Sequence, residues 1–237
     1  MNLKNGVLLV DPLMRRKHQG MLDDFGMKYD IPYGLLAVAS YLQKRGIQTG
    51  IISMDFETRH GETDENVLRM KLNEYSPKLV GITGYTLQFN DVIKMASVVK
   101  GHDHNIRVVA GGQHAMHLPE SMLETVFFDV AIVGEGEETL FEYAGRTFSG
   151  QTTDDIAGIV YLNENGRIIA NRRRGRLNSE EIAIPDYSIL PEDLVRNANI
   201  EMLTTRGCPY ACKLCSSETQ YGRKVVVRSL DSVREEL

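Results

Sequence analysis

The segment Arg107-Val108-Val109-Ala110-Gly111-Gly112-Gln113-His114 decides the fold. A short apolar run that ends in two glycines predicts a buried strand followed by a tight turn. A short helix over 119–126 is predicted after it. The neighbouring sequence repeats this unit, with strands over 79–85 and 129–133 and helices over 90–100 and 138–148. Strands that alternate with helices favour a parallel sheet.

Two further units precede these in the chain. Strands are predicted over 6–11 and 49–55, and helices over 33–45 and 65–75. Five units predict the fold class α/β, with a five-stranded parallel Rossmann-like sheet and helices on both faces, over residues 1–150. Ligands of such sheets bind outside the carboxyl ends of the strands, so the residues that follow each strand are the candidates for a site.

The pattern changes after Gly150. A β-hairpin with an Asn-Gly turn is predicted from strands over 158–162 and 167–170. The polar stretch 172–191, with its arginine run, is expected to be a solvated linker, so residues 151–199 form a hairpin and linker. Residues 200–237 predict a strand over 200–205, an extended piece over 225–227 and a helix from Ser229, as at the start of a (β/α) barrel.

Composition excludes several classes of function. The chain has 237 residues and a net charge of −5, which argues against nucleic acid or an anionic membrane surface as the main partner. No apolar stretch is long enough to span a bilayer. The apolar run Val7–Val10 is too short for a signal-peptide core, so a cytoplasmic location is expected.

All three cysteines lie in one short motif. Cys208, Cys212 and Cys215 have the spacing Cys-x3-Cys-x2-Cys. Three thiolates on one loop can ligate three irons of a [4Fe-4S] cluster and leave the fourth iron open to another ligand. The alternative is a structural zinc site, but zinc normally takes four ligands, and no fourth Cys exists and no His lies beyond His117.

The motif resembles that of the radical S-adenosylmethionine (SAM) enzymes. The resemblance implies that Cys208, Cys212 and Cys215 are the cluster ligands and that SAM chelates the open iron through its amino and carboxylate groups. Reductive cleavage would then yield methionine and a 5′-deoxyadenosyl radical, with electrons from a donor such as flavodoxin or ferredoxin. The residue before the third cysteine is usually aromatic and lies beside the adenine. Here it is Leu214, which weakens the inferred adenine contact.

The first domain resembles the cobalamin-binding domains that precede many radical SAM enzymes. The matching segments are 31–35, 80–86, 109–114 and 133–137. The resemblance implies cobalamin contacts by residues at the strand ends, where glycines let a nucleotide tail approach the backbone and helix starts can receive its phosphate. The expected contacts are Thr83, Gly84, Thr86, Gly111, Gly112, Gln113, His114, Gly134, Gly136 and Glu137.

The histidine that ligates cobalt in the best-known cobalamin domains is missing from its usual place. Those domains carry Asp-x-His-x-x-Gly, whereas this chain has Asp11-Pro12-Leu13-Met14, and His18 is too distant to fit. We therefore expect no protein histidine below the cobalt by that motif. Methionines at 14, 21 and 27 are expected to pack in the core or in a lid rather than to ligate cobalt.

The resemblance implies the cobalamin- and cluster-binding portion of a radical SAM enzyme, most often a methyltransferase acting on a small-molecule or peptide substrate. A full barrel takes about 200 residues or more. Only 22 residues follow Cys215. An incomplete barrel, inactive by itself, is therefore expected for residues 200–237. The alternatives are a non-enzymatic cobalamin carrier or sensor with a vestigial Cys loop, and a nucleotide-binding α/β protein with a zinc loop.

Overall fold

The computed structural model describes residues 6–13 and 29–237. Its strands are β1 (Val7–Asp11), β2 (Tyr29–Asp30), β3 (Thr49–Ser53), β4 (Leu79–Ile82), β5 (Arg107–Ala110), β6 (Val130–Ile132), β7 (Ile159–Leu162), β8 (Ile168–Ala170), β9 (Ala198–Asn199), β10 (Thr205–Arg206) and β11 (Val226–Val227). Its α-helices are α1 (Tyr33–Lys44), α2 (Met54–Glu57), α3 (Asp64–Tyr75), α4 (Phe89–His102), α5 (Gly112–His117), α6 (Pro119–Leu123), α7 (Gly136–Ser149), α8 (Glu192–Arg196), α9 (Ser217–Tyr221) and α10 (Leu230–Glu236). None of the helices in these ranges is long and apolar enough to cross a membrane.

One seven-stranded sheet organises the molecule, in the order β3-β1-β4-β5-β6-β7-β8. The strands β3, β1, β4, β5 and β6 are mutually parallel, which confirms the predicted α/β class and its five parallel strands. Strands β7 and β8 are antiparallel. The predicted hairpin therefore exists, but it extends the sheet beyond β6 instead of standing outside it. Pairing with β7 satisfies an edge that β6 would otherwise leave open.

Alternate residues of the strands feed two separate cores. Leu8 and Val10 of β1 pack with helices α3 and α4 on one face of the sheet. Val7 and Leu9 point to the other face, where α1 and α7 cover them. This two-residue period, with both faces buried, accounts for the nearly continuous apolar runs of the strands. Helices lie on both faces, as predicted.

The turn of the hairpin has the predicted chemistry. The Asn163 side-chain oxygen accepts hydrogen bonds from the backbone N–H groups of Asn165 and Arg167, at 3.0 and 2.9 Å. Gly166 has a φ of +70°, a left-handed value that favours glycine. The Asn163 side chain and the left-handed Gly166 therefore fix the register of β7 against β8.

The strand predicted over 200–205 is wrong for most of its length. Within the described residues, β10 contains only Thr205 and Arg206, and it pairs antiparallel with β11. The preceding β9 pairs in parallel with β2 instead. A strand needs a neighbour to satisfy its backbone groups, and no strand lies beside 200–204 among the described residues. The predicted helix at the end of the chain is confirmed as α10, capped by Ser229, whose hydroxyl accepts from Ser232 N at 3.1 Å.

The expectation of a solvated linker is also wrong. Leu177, Ile182 and Ala183 are buried against Tyr41 of α1. Arg174 forms ion pairs with Glu138, at 3.2 Å, and with Glu142. Arg174 therefore fastens this segment to α7, whereas Arg172 and Arg173 are exposed. Sequence charge alone did not reveal this, because the acidic partners lie more than 30 residues earlier in the chain.

Candidate functional site

A cleft of about 570 Å³ opens at the carboxyl edge of the parallel strands. Its floor comes from the ends of β1, β4 and β5, and its walls include the starts of α1 and α7. Leu203, Arg206 and Tyr221, from the segment around the Cys motif, close one side. The cleft therefore lies where ligands of open parallel sheets bind, and it is of the size of cofactor sites.

Most of the predicted cobalamin contacts line this cleft. Its wall contains Thr83, Gly84, Gly111, Gly112, Gln113, Gly134, Gly136 and Glu137. The sheet thus brings together residues that are far apart in sequence. Whether they contact cobalamin stays a prediction. Met14, His18, Met21 and Met27, which we expect not to ligate cobalt, lie outside the described residues.

The two glycines after β5 have different roles. Gly112 has a φ of +81°, and a Cβ there would lie 2.4 Å from the Thr83 hydroxyl and 2.7 Å from the Gly84 nitrogen. Its lack of a side chain is therefore required by the protein's own packing. A Cβ on Gly111 would meet nothing closer than the Ile82 carbonyl oxygen at 4.0 Å, and Gly111 lacks a positive φ. Gly111 is thus the glycine whose missing side chain leaves open space in the cleft.

Two predicted contacts, His114 and Thr86, are not in the cleft wall. His114 is buried, with Nδ1 3.1 Å from the Thr86 hydroxyl and Nε2 2.9 Å from the Ser121 hydroxyl. Because the Ser121 hydroxyl donates to the Leu118 carbonyl, it accepts from His114 Nε2, and Nδ1 accepts from Thr86. Burial lowers the pKa of His114. His114 is therefore a neutral packing residue here, beside the ring of Phe89 at 4.5 Å.

The cleft is acidic. Asp11, Asp30 and Asp55 line it at the β1 end, and Glu135 and Glu137 line it at the start of α7. Burial, and then the charges of Asp55 and Asp30, raise the pKa of Asp11 to about 7. Among the described residues, Arg206 is the only basic side chain in the wall. An acidic cleft disfavours multiply anionic ligands such as nucleotide phosphates.

Arg206 joins the cleft to the Cys motif. Its guanidinium donates to Glu137 at 2.7 Å and lies 3.4 Å from Glu135, and all three side chains are less than 10% exposed. Burial alone would lower the pKa of Arg206, but the carboxylates of Glu137 and Glu135 raise it. Glu135 also accepts from the Leu177 N–H at 2.8 Å. Arg206 stands two residues before Cys208, so the ion pairs fix the entry to the Cys loop.

The three cysteines lie at the surface as free thiols. Cys208 is half-buried, and Cys212 and Cys215 are exposed. A turn joins two of them, with the Cys215 N–H donating to the Cys212 carbonyl at 3.1 Å. Hydrogen bonds from the Ser217 hydroxyl and then its backbone lower the pKa of the Cys215 thiol. Across residues 6–13 and 29–237, no three His, Cys, Asp or Glu side chains are already grouped as metal ligands. Leu214 is fully exposed.

A larger cavity, of about 780 Å³, lies at the opposite edge of the sheet. It contains none of the predicted site residues. Asp129 lies in its wall, held by Lys100 and Arg107 at 2.7 Å each and by the Val108 N–H at 2.7 Å. These contacts satisfy the carboxylate within the protein, so its role is structural.

Comparison with known proteins assigns the domain. Residues 28–144 match the family model of the B12 binding domain. This segment is a B12-binding domain. The match spans the ends of β4, β5 and β6 and therefore most of the cleft. The resemblance to cobalamin-dependent radical SAM enzymes is confirmed.

Individual relatives agree with this assignment. An uncharacterized methyltransferase of Pyrococcus horikoshii, PH0819, is 34% identical over 171 residues, which cover 70% of this chain and 37% of that protein. The fold is also that of the cobalamin-dependent SAM radical enzyme OxsB with aqua-cobalamin bound (TM-score 0.81, 21% identity, 98% of this chain and 31% of that one). The methyltransferase TsrM of Kitasatospora setae, with cobalamin and a [4Fe-4S] cluster, gives a TM-score of 0.75 at 20% identity and covers 100% of this chain and 45% of that one. The chain thus spans less than half the length of these proteins.

The contacts expected from the sequence do not include Arg206, Glu135 or Tyr221. The sequence offered two signals for these residues. Arg206 stands directly before Gly207 and Cys208, and two glutamates follow the strand β6. A sequence does not show that these charges meet, because the meeting depends on how the segment after the B12-binding domain folds back onto it.

Proposed function

We propose that this chain is the cobalamin- and [4Fe-4S]/SAM-binding portion of a radical SAM enzyme, a methyltransferase or a related enzyme that functionalises C–H bonds. The observation that carries the proposal is the glycine-lined cleft of the B12-binding domain, with the Cys motif fastened to its rim through Arg206 and Glu137. Because the cleft and the Cys motif lie side by side in one chain, the arrangement favours a radical enzyme over a protein that only stores cobalamin.

The cleft fits cobalamin. Gly111 and Gly134 leave open space beside the strand ends, since a Cβ on either would meet nothing within 3.9 Å. The first residues of the long helices α1 and α7 line the cleft, and the N-terminus of a helix favours the binding of a single phosphate. Cobalamin carries a cationic metal centre and only one phosphate, so the acidic wall suits it better than a dinucleotide. The nucleotide-binding alternative is therefore disfavoured.

The donor set of the Cys loop fits a cluster. Cys208, Cys212 and Cys215 are three unpaired thiols within eight residues, and thiolates are the usual ligands of iron–sulfur clusters. When bound, the cluster with SAM would supply the radical chemistry and cobalamin the methyl group. Within this chain, Cys208, Cys212 and Cys215 would hold the iron, and Ser217 would keep the Cys215 thiol ready to lose its proton.

The test is binding of the two cofactors to the purified chain. Under anaerobic conditions we expect one equivalent of hydroxocobalamin to bind, and four irons to be incorporated on reconstitution. Replacement of all three cysteines by Ala should abolish iron binding and leave cobalamin binding unchanged. Iron retained by the triple variant would refute the cluster assignment. Cobalamin bound with no iron incorporated by the unmodified chain would favour the carrier or sensor alternative.

A further inference from the structure

One buried ion-pair network spans the cleft and the Cys loop. Arg206 pairs with Glu137 at 2.7 Å and with Glu135 at 3.4 Å. Both glutamates flank Gly136, and these three residues line the cleft. A ligand in the cleft that contacts Glu135, Gly136 or Glu137 therefore contacts the turn whose carboxylates hold Arg206.

The next residues leave little freedom between Arg206 and the first cysteine. Gly207 has a φ of +95°, and a Cβ there would lie 2.4 Å from the Lys224 carbonyl oxygen. The loop thus leaves β10 in close contact with the strand that returns from it. A shift of Arg206 would displace Gly207 and Cys208, because they follow it directly in the chain and Gly207 packs against the backbone at Lys224.

A second arginine reinforces the connection. Arg176 donates to the carbonyls of Lys224 and, at 3.2 Å, of Arg206, and its Nε lies 3.9 Å from Glu135. Its guanidinium also lies 5.8 Å from the ring of Tyr221, another residue of the cleft wall. Arg176 therefore links both ends of the Cys loop, at Arg206 and Lys224, to Glu135.

We propose that Arg206 is a positioning residue that couples occupancy of the cobalamin cleft to the placement of the Cys208 loop. The inference rests on the proposed function. Cobalamin in the cleft would order the turn 134–137, Glu137 and Glu135 would hold the guanidinium, and Arg206 would hold Gly207 and Cys208. A planar guanidinium that contacts two carboxylates restricts orientation, which a lysine ammonium does not.

The experiment uses the metal-free chain and measures the alkylation rate of each cysteine by mass spectrometry, with and without saturating cyanocobalamin. The cyano ligand keeps the cobalt from binding the thiol that is measured. We expect cyanocobalamin to slow alkylation of Cys208 by about fivefold or more. In Arg206→Gln, and in Glu137→Gln if the first variant folds poorly, this ratio should fall towards one when cyanocobalamin is raised to a concentration that saturates that variant. Arg206→Lys should give an intermediate ratio.

The matched control is Arg174→Gln. Arg174 also forms ion pairs with two glutamates of α7, although these pairs are more exposed than those of Arg206, and it lies outside the cleft wall and the Cys loop. It should keep the unmodified ratio, which excludes the loss of any ion pair with α7 as the cause. If Arg206→Gln protects Cys208 as well as the unmodified chain does, the cofactor shields the thiol directly and the inference is overturned. If the unmodified chain binds no cyanocobalamin, the proposed function fails instead.

Discussion

The guanidinium of Arg206 donates to the Glu137 carboxylate at 2.7 Å, across the boundary between the Cys-motif segment and the B12-binding domain. Both side chains are less than 10% exposed. A buried pair of this kind is costly to break from one side, because the remaining charge is left without its partner. The contact therefore holds the two parts of the chain together as well as linking their sites.

The first prediction concerns the energy of this contact. Arg206→Met should lower the free energy of unfolding by about 3 kcal/mol, because Glu137 and Glu135 then lose a buried cation. Arg206→Met combined with Glu137→Leu should recover part of this loss. Urea denaturation of the unmodified chain, the two single variants and the double variant gives the coupling energy between Arg206 and Glu137. We expect it to be at least about 1 kcal/mol. Strict additivity of the two substitutions would contradict a direct pair.

The second prediction separates the two glycines after β5. Gly111→Val should weaken hydroxocobalamin binding by about tenfold or more with little loss of stability, because its side chain enters open cleft space. Gly112→Ala should instead destabilise the fold by about 1–3 kcal/mol, because of its positive φ and the contact with Thr83. Absorbance titration and thermal denaturation measure the two effects.

Gly175→Val is the matched control for Gly111→Val. A Cβ on Gly175 meets nothing within 4 Å, Gly175 has no positive φ, and it lies outside the cleft wall. It should bind hydroxocobalamin like the unmodified chain. Equal affinity of Gly111→Val and Gly175→Val would remove Gly111 from the site.

The alternation of strands and helices was predictable because each unit carries its own signal. The run 107–110 is apolar and ends in glycines, and Asn163 with Gly166 defines the hairpin turn locally. The positions of the cleft residues followed from the rule for strand ends. What failed depended on distant partners. Residues 200–204 lacked a neighbouring strand among the described residues. His114 hydrogen-bonds Thr86 and Ser121 instead of lining the cleft, and no local pattern in the sequence encodes this.

The third prediction concerns the thiol of Cys215. The Ser217 hydroxyl lies 3.1 Å from its sulfur and lowers the thiol pKa. Ser217→Ala should therefore raise that pKa and move the pH profile of Cys215 alkylation in the metal-free chain to higher pH. The limiting rate at high pH should be unchanged, because only the thiolate fraction is affected. Cys212 serves as the internal reference in the same spectra, and a parallel shift at Cys212 would indicate a rearranged loop instead.

The last prediction concerns the pH dependence of stability that arises from Asp11. Burial and the neighbouring Asp55 and Asp30 raise its pKa from 3.8 to about 7. The folded chain therefore binds a proton that the unfolded chain has released between about pH 4 and pH 7, so this group makes the fold less stable as the pH rises through that window. One pKa unit corresponds to about 1.4 kcal/mol.

Asp11→Asn replaces the carboxyl with a neutral group of the same shape and should remove that penalty. Relative to the unmodified chain, we expect the variant to gain on the order of 2–4 kcal/mol at pH 8 and much less at pH 5. Urea denaturation at both pH values measures the difference, so that the opposite pH dependence of buried His114 cancels between the two proteins. Asp231→Asn, which changes an exposed carboxyl on α10, is the control and should show no such gain. An equal effect of Asp11→Asn at pH 5 and pH 8 would mean that Asp11 is ionised throughout this range, and that the acidic end of the cleft tolerates its charge.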